Sequence, residues 1–301
     1  ELDNVVDFLA SKNLLKISEG ATVVDLSDFD MPPCLVKRSD GASLYATRDL
    51  AAAMDRYKTY KFDKSLYLTA VEQKLHFAQF FKVLELAGET YSAGLEHIAY
   101  GRFSLPEGKI SSRRGKQAIL VDLLDYVLNK ANDVIKDRTF SIEKPEEVAR
   151  KVAKSVLAFN ALNIERHKDA IFDLEKAFSF EGETAPYMQY TFTRLESILR
   201  KFEETDAKAD YSCFNQEAFE ILKAINGFET VIKSALEKRD PSLILKRTME
   251  LCKLFNKFYT TTKVLDGNES TTKAKIELVK VLRDTLKVGF NLICIETLQE
   301  M

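Results

Sequence analysis

Apolar positions change their rhythm near residue 117. Before it, short apolar runs at residues 21–26, 34–38, 65–69 and 97–103 alternate with helical patterns and read as strands. Residues 47–57 predict a helix with Thr47 as N-cap, and residues 72–88 predict a longer one ended by Gly88. Alternation of this kind implies a parallel sheet covered by helices, with ligand sites at the carboxyl ends of the strands. After residue 117 the period is helical. One stripe is Ile119, Leu120, Leu123, Leu124, Val127 and Leu128, and the next is Val148, Val152, Val156 and Phe159. Later stripes are Phe219, Leu222, Ile225, Phe228 and Ile232; Leu251, Leu254, Phe255 and Phe258; and Ile276, Val279, Leu282, Leu286 and Ile293. Asp240-Pro241 reads as an N-cap and first helical residue, whereas Lys144-Pro145, Glu181-Gly182-Glu183 and Asp266-Gly267-Asn268 read as connections. The expected fold is α/β followed by an all-α bundle.

Composition narrows this picture only modestly. With 301 residues, 46% of them hydrophobic, the chain can bury two cores, and 30% charged residues argue against disorder at a net charge of −2. That charge excludes a grossly basic nucleic-acid binder but leaves room for a local basic face. Cys34, Cys213, Cys252 and Cys294 stand far apart, as buried thiols of a reducing compartment would, and His76, His97 and His167 lack metal-ligand spacing. No structural metal is expected. No apolar run reaches the length of a membrane span.

Three groups of residues are candidates for chemistry. Lys109, Arg113, Arg114 and Lys116, with Ser111 and Ser112, lie around Gly108 and Gly115 in a loop that suits a polyphosphate, or is simply solvated surface. Tyr45, Asp49 and Gln73 fall at strand-to-helix junctions, where a carboxylate, a phenol and a carboxamide would suit a guanidinium. Asp49 equally satisfies a helix N-terminus. Tyr187, Tyr190 and Arg194 share helical spacing, which suits either unpaired bases or a core with satisfied hydroxyls, and Phe255, Phe258 and Tyr259 present the same choice.

Taken in order, Ser39-Asp-Gly-Ala-Ser-Leu-Tyr-Ala-Thr-Arg-Asp-Leu-Ala-Ala-Ala53, Gln73-Lys-Leu-His-Phe-Ala-Gln79, His97-Ile-Ala-Tyr-Gly101, Lys109-Ile-Ser-Ser-Arg-Arg-Gly115, Phe178-Ser-Phe-Glu-Gly182 with Tyr187-Met-Gln-Tyr190, and the terminal Met301 resemble the C-terminal part of class I arginyl-tRNA synthetases. The resemblance covers essentially the whole chain. It implies the C-terminal half of a Rossmann-type parallel-sheet catalytic domain at 1–117, with its ATP loop at 108–115. An α-helical anticodon-binding domain would follow at 118–301, its tRNA-contacting core at about 186–301. It further implies a cytoplasmic, monomeric ligase that uses ATP with Mg2+ to form arginyl-adenylate and passes the arginyl group to the arginine tRNA. By the same resemblance Tyr45, Asp49 and Gln73 recognise arginine, and Lys109, Ser111, Ser112 and Arg113 act at the ATP phosphates. Tyr187, Gln189, Tyr190, Arg194 and Met301 contact tRNA. Ser112 stands where the loop motif has its second lysine, so Arg113, Arg114 or a lysine elsewhere would supply that charge. The His-Ile-Gly-His-type motif is absent, so these residues alone are expected to make no adenylate. Two other readings remain: a tRNA-binding module without chemistry, and a helical scaffold or a different class I synthetase. The cysteine-specific relatives need a zinc site that this chain lacks.

Overall fold

The computed structural model describes residues 2–40, 45–104, 120–136, 144–173 and 175–299. They divide into two units, Glu1–Gly101 and Arg102–Met301.

The first unit opens with α1 (Leu2–Ser11) and an antiparallel meander of β1 (Leu15–Ser18), β2 (Ala21–Val24) and β3 (Cys34–Lys37). Glu19 and Gly20 both take positive φ, the backbone that a two-residue hairpin turn needs to match the strand twist. Then come α2 (Tyr45–Tyr60), β4 (Ser65–Ala70), a 3-10 turn (Val71–Gln73), α3 (Lys74–Leu86) and β5 (Leu95–Tyr100). β4 and β5 pair in parallel, Ser65 opposite Leu95 through Ala70 opposite Tyr100, and α3 is the crossover that parallel pairing requires. α3 ends at Gly88 (φ +84°), where Gly88 N–H reaches Glu85 O and Glu89 N–H reaches Leu84 O. Leu9, Leu26, Val36, Leu50, Phe80, Val83 and Leu84 fill the core.

Three expectations change here. Parallel pairing holds for β4–β5, but the preceding strands form the antiparallel meander; β1 escapes a periodicity reading because its side chains are largely exposed. Thr47 is not an N-cap. It lies fully buried within α2, and its hydroxyl donates to Val36 O, tying the helix to β3. The strand expected to run on to Phe103 stops at Tyr100, and Phe103–Ser104 forms a separate strand, β6, in the second unit.

In that unit β6 pairs in parallel with β7 (Ala170–Ile171). Its helices are α4 (Leu120–Lys136), α5 (Pro145–Leu162), α6 (Ala185–Lys201), α7 (Gln216–Asn226), α8 (Phe228–Lys238), α9 (Ser242–Thr261) and α10 (Glu269–Leu292). α9 touches α5, α6, α7, α8 and α10, and its Leu251, Phe255 and Phe258 are buried in the shared core with Met188, Leu195, Leu282 and Phe290. Lys144-Pro145 starts α5 rather than forming a connection, Pro145 taking the first turn, where its missing N–H costs nothing. Asp240 and Pro241 each fall one position earlier than read: α9 begins at Ser242 with Pro241 at its cap position, and Asp240 Oδ1 accepts from Ser242 N–H just ahead of it. The stripe through Phe219 and Leu222 is corrected. Gly227 breaks it into two helices, α7 buries Ala218, Ile221 and Ala224, and Phe219 and Leu222 face outward. No described helix is long and apolar enough to cross a membrane.

The connection into α10 is held by an ion pair. Lys275, its side chain only 8% exposed, donates to Asp266 Oδ2 at 2.6 Å and to Lys263 O at 3.1 Å. Asp266 also accepts from Asn268 N–H and from the hydroxyls of Thr271 and Thr272. The Lys275 hydrogen bond, helped by these donors against the cost of burial, holds the Asp266 carboxyl well below the usual carboxylate range. A lowered folded-state value contributes stability that is full above the unfolded value near 3.9 and is lost as pH falls below it. Asp266→Ala, which strands a buried ammonium, is expected to cost about 3 kcal/mol in urea unfolding at pH 7. The gap between Asp266→Asn and the parent chain should shrink as pH is lowered toward 3.

Candidate functional site

The first candidate site forms where α2 and α3 meet. Tyr45 and Asp49 lie one turn apart at the start of α2, so they share a face. Gln73 ends the 3-10 turn after β4, and His76 follows one turn later in α3. α2 packs on α3, and His76 Nε2 meets Asp49 Oδ2 at 2.6 Å. The side chains of Asp49 and His76 are 38% and 27% exposed, Gln73 is exposed, and Tyr45 is 78% exposed. An ionised carboxylate only accepts hydrogen bonds, so His76 Nε2 carries the proton of this bond. Among the described residues Oδ1 and the second lone pair of Oδ2 have no further partner, and these are what a planar guanidinium fork engages. His76 is the residue that sequence reasoning missed. Its signal was its spacing of three from Gln73, at the start of the same helix; reading histidines only for metal-ligand spacing passes over it.

Lys109, Ser111, Ser112 and Arg113, with the rest of the loop, lie outside the described residues, as does Met301. Burial pushes the Cys34 thiol up to about 11 and raises that of Cys252, so these two are inert core thiols as expected. Cys294 departs from that expectation and is exposed.

The second candidate site lies on α6 and α9. The guanidinium of Arg194 sits 4.8 Å from the ring centroids of both Tyr190 and Tyr259. Its Nη1 donates to Asn256 Oδ1 at 2.7 Å and its Nη2 to the Tyr190 hydroxyl at 3.1 Å. Asn256 Nδ2 in turn donates to the hydroxyls of Tyr187 and Thr191. Thr184 starts this helix in register by accepting from Tyr187 N–H. Tyr190 and Tyr259 present outward surface, whereas Phe255 and Phe258 are core. Beside Arg194 and Tyr259 opens a cleft of about 510 Å3, also lined by Lys201, Thr262 and Lys263. Two half-open aromatic rings around a fixed cation make a surface on which bases can stack. Asn256, which orients the cation, was not foreseen.

Gln189 belongs to neither surface. It is 0% exposed, and its Nε2 donates to Ser155 Oγ at 3.0 Å and to Glu296 O at 2.9 Å. Ser155 Oγ also accepts from Glu296 N–H. The carboxamide fastens the segment after α10 to α5 and α6, and its burial keeps it from touching a nucleic acid.

Residues 1–174 match the family described as tRNA synthetases class I (R), catalytic domain. The chain belongs to this family. Residues 188–301 match the DALR anticodon binding domain. Among curated relatives of this class I (R) chain, the arginine–tRNA ligases of Clostridium acetobutylicum and Clostridium beijerinckii are 41% and 42% identical over all of it. The chain spans about half the length of these relatives, 54% of each. Among solved structures, Thermus thermophilus arginyl-tRNA synthetase superposes with a TM-score of 0.87 at 24% identity, over 100% of this chain and 58% of that one. Plasmodium falciparum arginyl-tRNA synthetase gives 0.85 at 20%, over 100% and 52%. The fold is therefore a class I catalytic portion joined to a helical anticodon-binding domain.

In this synthetase chain, Gln189→Leu is expected to lower stability by about 1–3 kcal/mol in urea unfolding, because it leaves the Glu296 carbonyl and Ser155 short of a partner. Hydrogen exchange at the Glu296 amide should quicken; unaltered exchange there would show that the carboxamide does not hold the segment.

Proposed function

We propose that this chain forms the arginine-recognising and anticodon-recognising parts of an arginine–tRNA ligase. The observation that carries the reading is the Asp49 carboxylate, held through one oxygen by His76 and without a partner on the other among the described residues, in a chain of the class I (R) family. In the reaction the arginine carboxylate attacks the α-phosphate of ATP, releasing pyrophosphate. The arginyl group then passes to the terminal ribose of the arginine tRNA. Asp49 holds the guanidinium through paired N–H···O bonds, with Tyr45 and Gln73 supplying neutral partners at its edge. Lys109 and Arg113 balance the charge that grows on the departing pyrophosphate, and Ser111 and Ser112 hydrogen-bond its oxygens. Among the described residues no three carboxylate, histidine or cysteine groups converge to hold a cation. A magnesium ion would be held mainly by the ATP phosphates, its usual mode of binding. The division at about residue 117, between ligand-activating and tRNA-reading parts, belongs to the same proposal, as do its monomeric state and cytoplasmic location.

The Tyr190–Arg194–Tyr259 surface supports the tRNA half of the reading. Stacked aromatics and an oriented guanidinium suit unpaired anticodon bases, while Lys201 and Lys263 suit the backbone beside them.

Two measurements test these roles. In a full-length enzyme carrying these residues, Asp49→Asn is expected to raise the KM for arginine by roughly 30- to 900-fold, about 2–4 kcal/mol, the scale for breaking a hydrogen-bonded charge pair. An unchanged KM rejects the pocket. Binding of this chain to arginine tRNA at fixed salt should favour the native anticodon over altered ones. Tyr259→Ala should weaken it by about 1–3 kcal/mol while keeping the salt slope, as expected when stacking and not phosphate contact is lost. Equal binding of all tRNAs by parent and variant would exclude this surface.

A further inference from the structure

We propose that His76 is the positioning residue of the arginine pocket, fixing the Asp49 carboxylate in the one orientation that receives a guanidinium fork. The inference rests on the proposed role of Asp49 in binding arginine and adds a residue to it. An aspartate side chain turns about two bonds, and Asp49 is partly open to solvent, so packing alone does not hold its carboxylate plane. The bond that holds it is the one from His76 Nε2 to Oδ2 at 2.6 Å. With Oδ2 engaged by one donor, Oδ1 and the remaining Oδ2 lone pair have no other partner among the described residues, the acceptor capacity that two parallel N–H groups require.

His76 can act as this anchor because it is itself immobilised. Its ring stands edge-on to Phe77, centroids 5.4 Å apart, and tilted against Phe80 at 5.8 Å. Both phenylalanines are buried, and Phe77 stacks on the His97 ring at 4.4 Å and 14°. His97 lies on β5, and its Nε2 meets Thr69 Oγ1 on β4 at 2.8 Å. A continuous line of ring contacts thus runs from the parallel strand pair through Phe77 to His76, and the hydrogen bond carries it to Asp49 on α2. Positioning of this kind favours binding by removing the freedom that the ligand would otherwise have to freeze.

Two substitutions separate the donor from the ring. His76→Phe keeps the ring among Phe77 and Phe80 and removes the N–H. His76→Gln places an amide N–H where Nε2 lies and removes the ring. Both are compared with Asp49→Asn in a full-length enzyme carrying these residues, at a temperature where circular dichroism shows each variant folded. His76→Phe is expected to raise the KM for arginine about 10- to 100-fold, the scale for one hydrogen bond to a charged group, with the KM for ATP and kcat changing far less. His76→Gln is expected to stay within about threefold of the parent on the same hydrogen-bond argument. If His76→Phe behaves as the parent while Asp49→Asn does not, or if His76→Gln is the more damaged of the two, the histidine serves packing alone and the proposal is overturned. If Asp49→Asn leaves the arginine KM unchanged, the guanidinium reading itself fails and takes this inference with it.

Discussion

Parallel pairing of β4 with β5 is the constraint from which the first site follows. Two parallel strands cannot be joined by a tight turn, so the chain has to leave the carboxyl end of β4, cross over the sheet as α3 and return to the start of β5. The crossover helix therefore begins at the carboxyl end of β4, and whatever the sequence places in its first turn is delivered there. In this chain those residues are Gln73 and His76. Thr47 fastens the opposing helix by donating its hydroxyl to Val36 O, which brings Asp49 onto His76. The acidic group and its anchor thus come from segments that only the sheet and its helices bring together.

The helical unit rests on a different principle. Among its described residues the strand ladder is only the short β6–β7 pair, and α9 organises the helices by burying Leu251, Phe255 and Phe258 against its neighbours. Because that stripe is only part of the helix circumference, Asn256 and Tyr259 are left on a face that meets α6. There they clamp Arg194 with its ring partner Tyr190. The same face of α6 cannot serve both outside and inside, and Gln189 falls on the inner side, where it fastens the segment after α10. A recognition surface and a structural latch thus occupy adjoining positions of one helix.

Charge is used sparingly in both units. Most ion pairs among the described residues are exposed and contribute little. Among the buried or half-buried contacts of ionisable side chains, which include Arg283 with Glu196, two contrast in their use. The ion pair of Asp266 with Lys275 shapes the turn into α10, and the hydrogen bond of His76 with Asp49 links α3 to α2. The first is satisfied on every side by local donors. The second leaves acceptor capacity unspent among the described residues, and that difference suits it to the proposed binding role.

Some of this protein was decided by local sequence. The helical stripes through Val152 and Val156, through Leu251 and Phe255, and through Leu282 and Leu286 are buried as their 3.6-residue period requires, because helix periodicity and burial report the same face. Gly88 follows the end of α3 and Gly267 lies in the connection before α10, both as read, since positive φ favours glycine. Tertiary structure decided the rest. Phe219 and Leu222 have the right period yet face outward, because α7 packs on α9 and α10 through its adjoining stripe of Ala218, Ile221 and Ala224. β1 is invisible to pattern because neither of its faces is buried. Tyr187, Gln189 and Tyr190 are near neighbours in sequence, but which of them meets solvent depends on where α5 and α9 pack. The pairing of Asp49 with His76 spans two helices and a strand; neither residue's local sequence contains the other, so only the fold could join them.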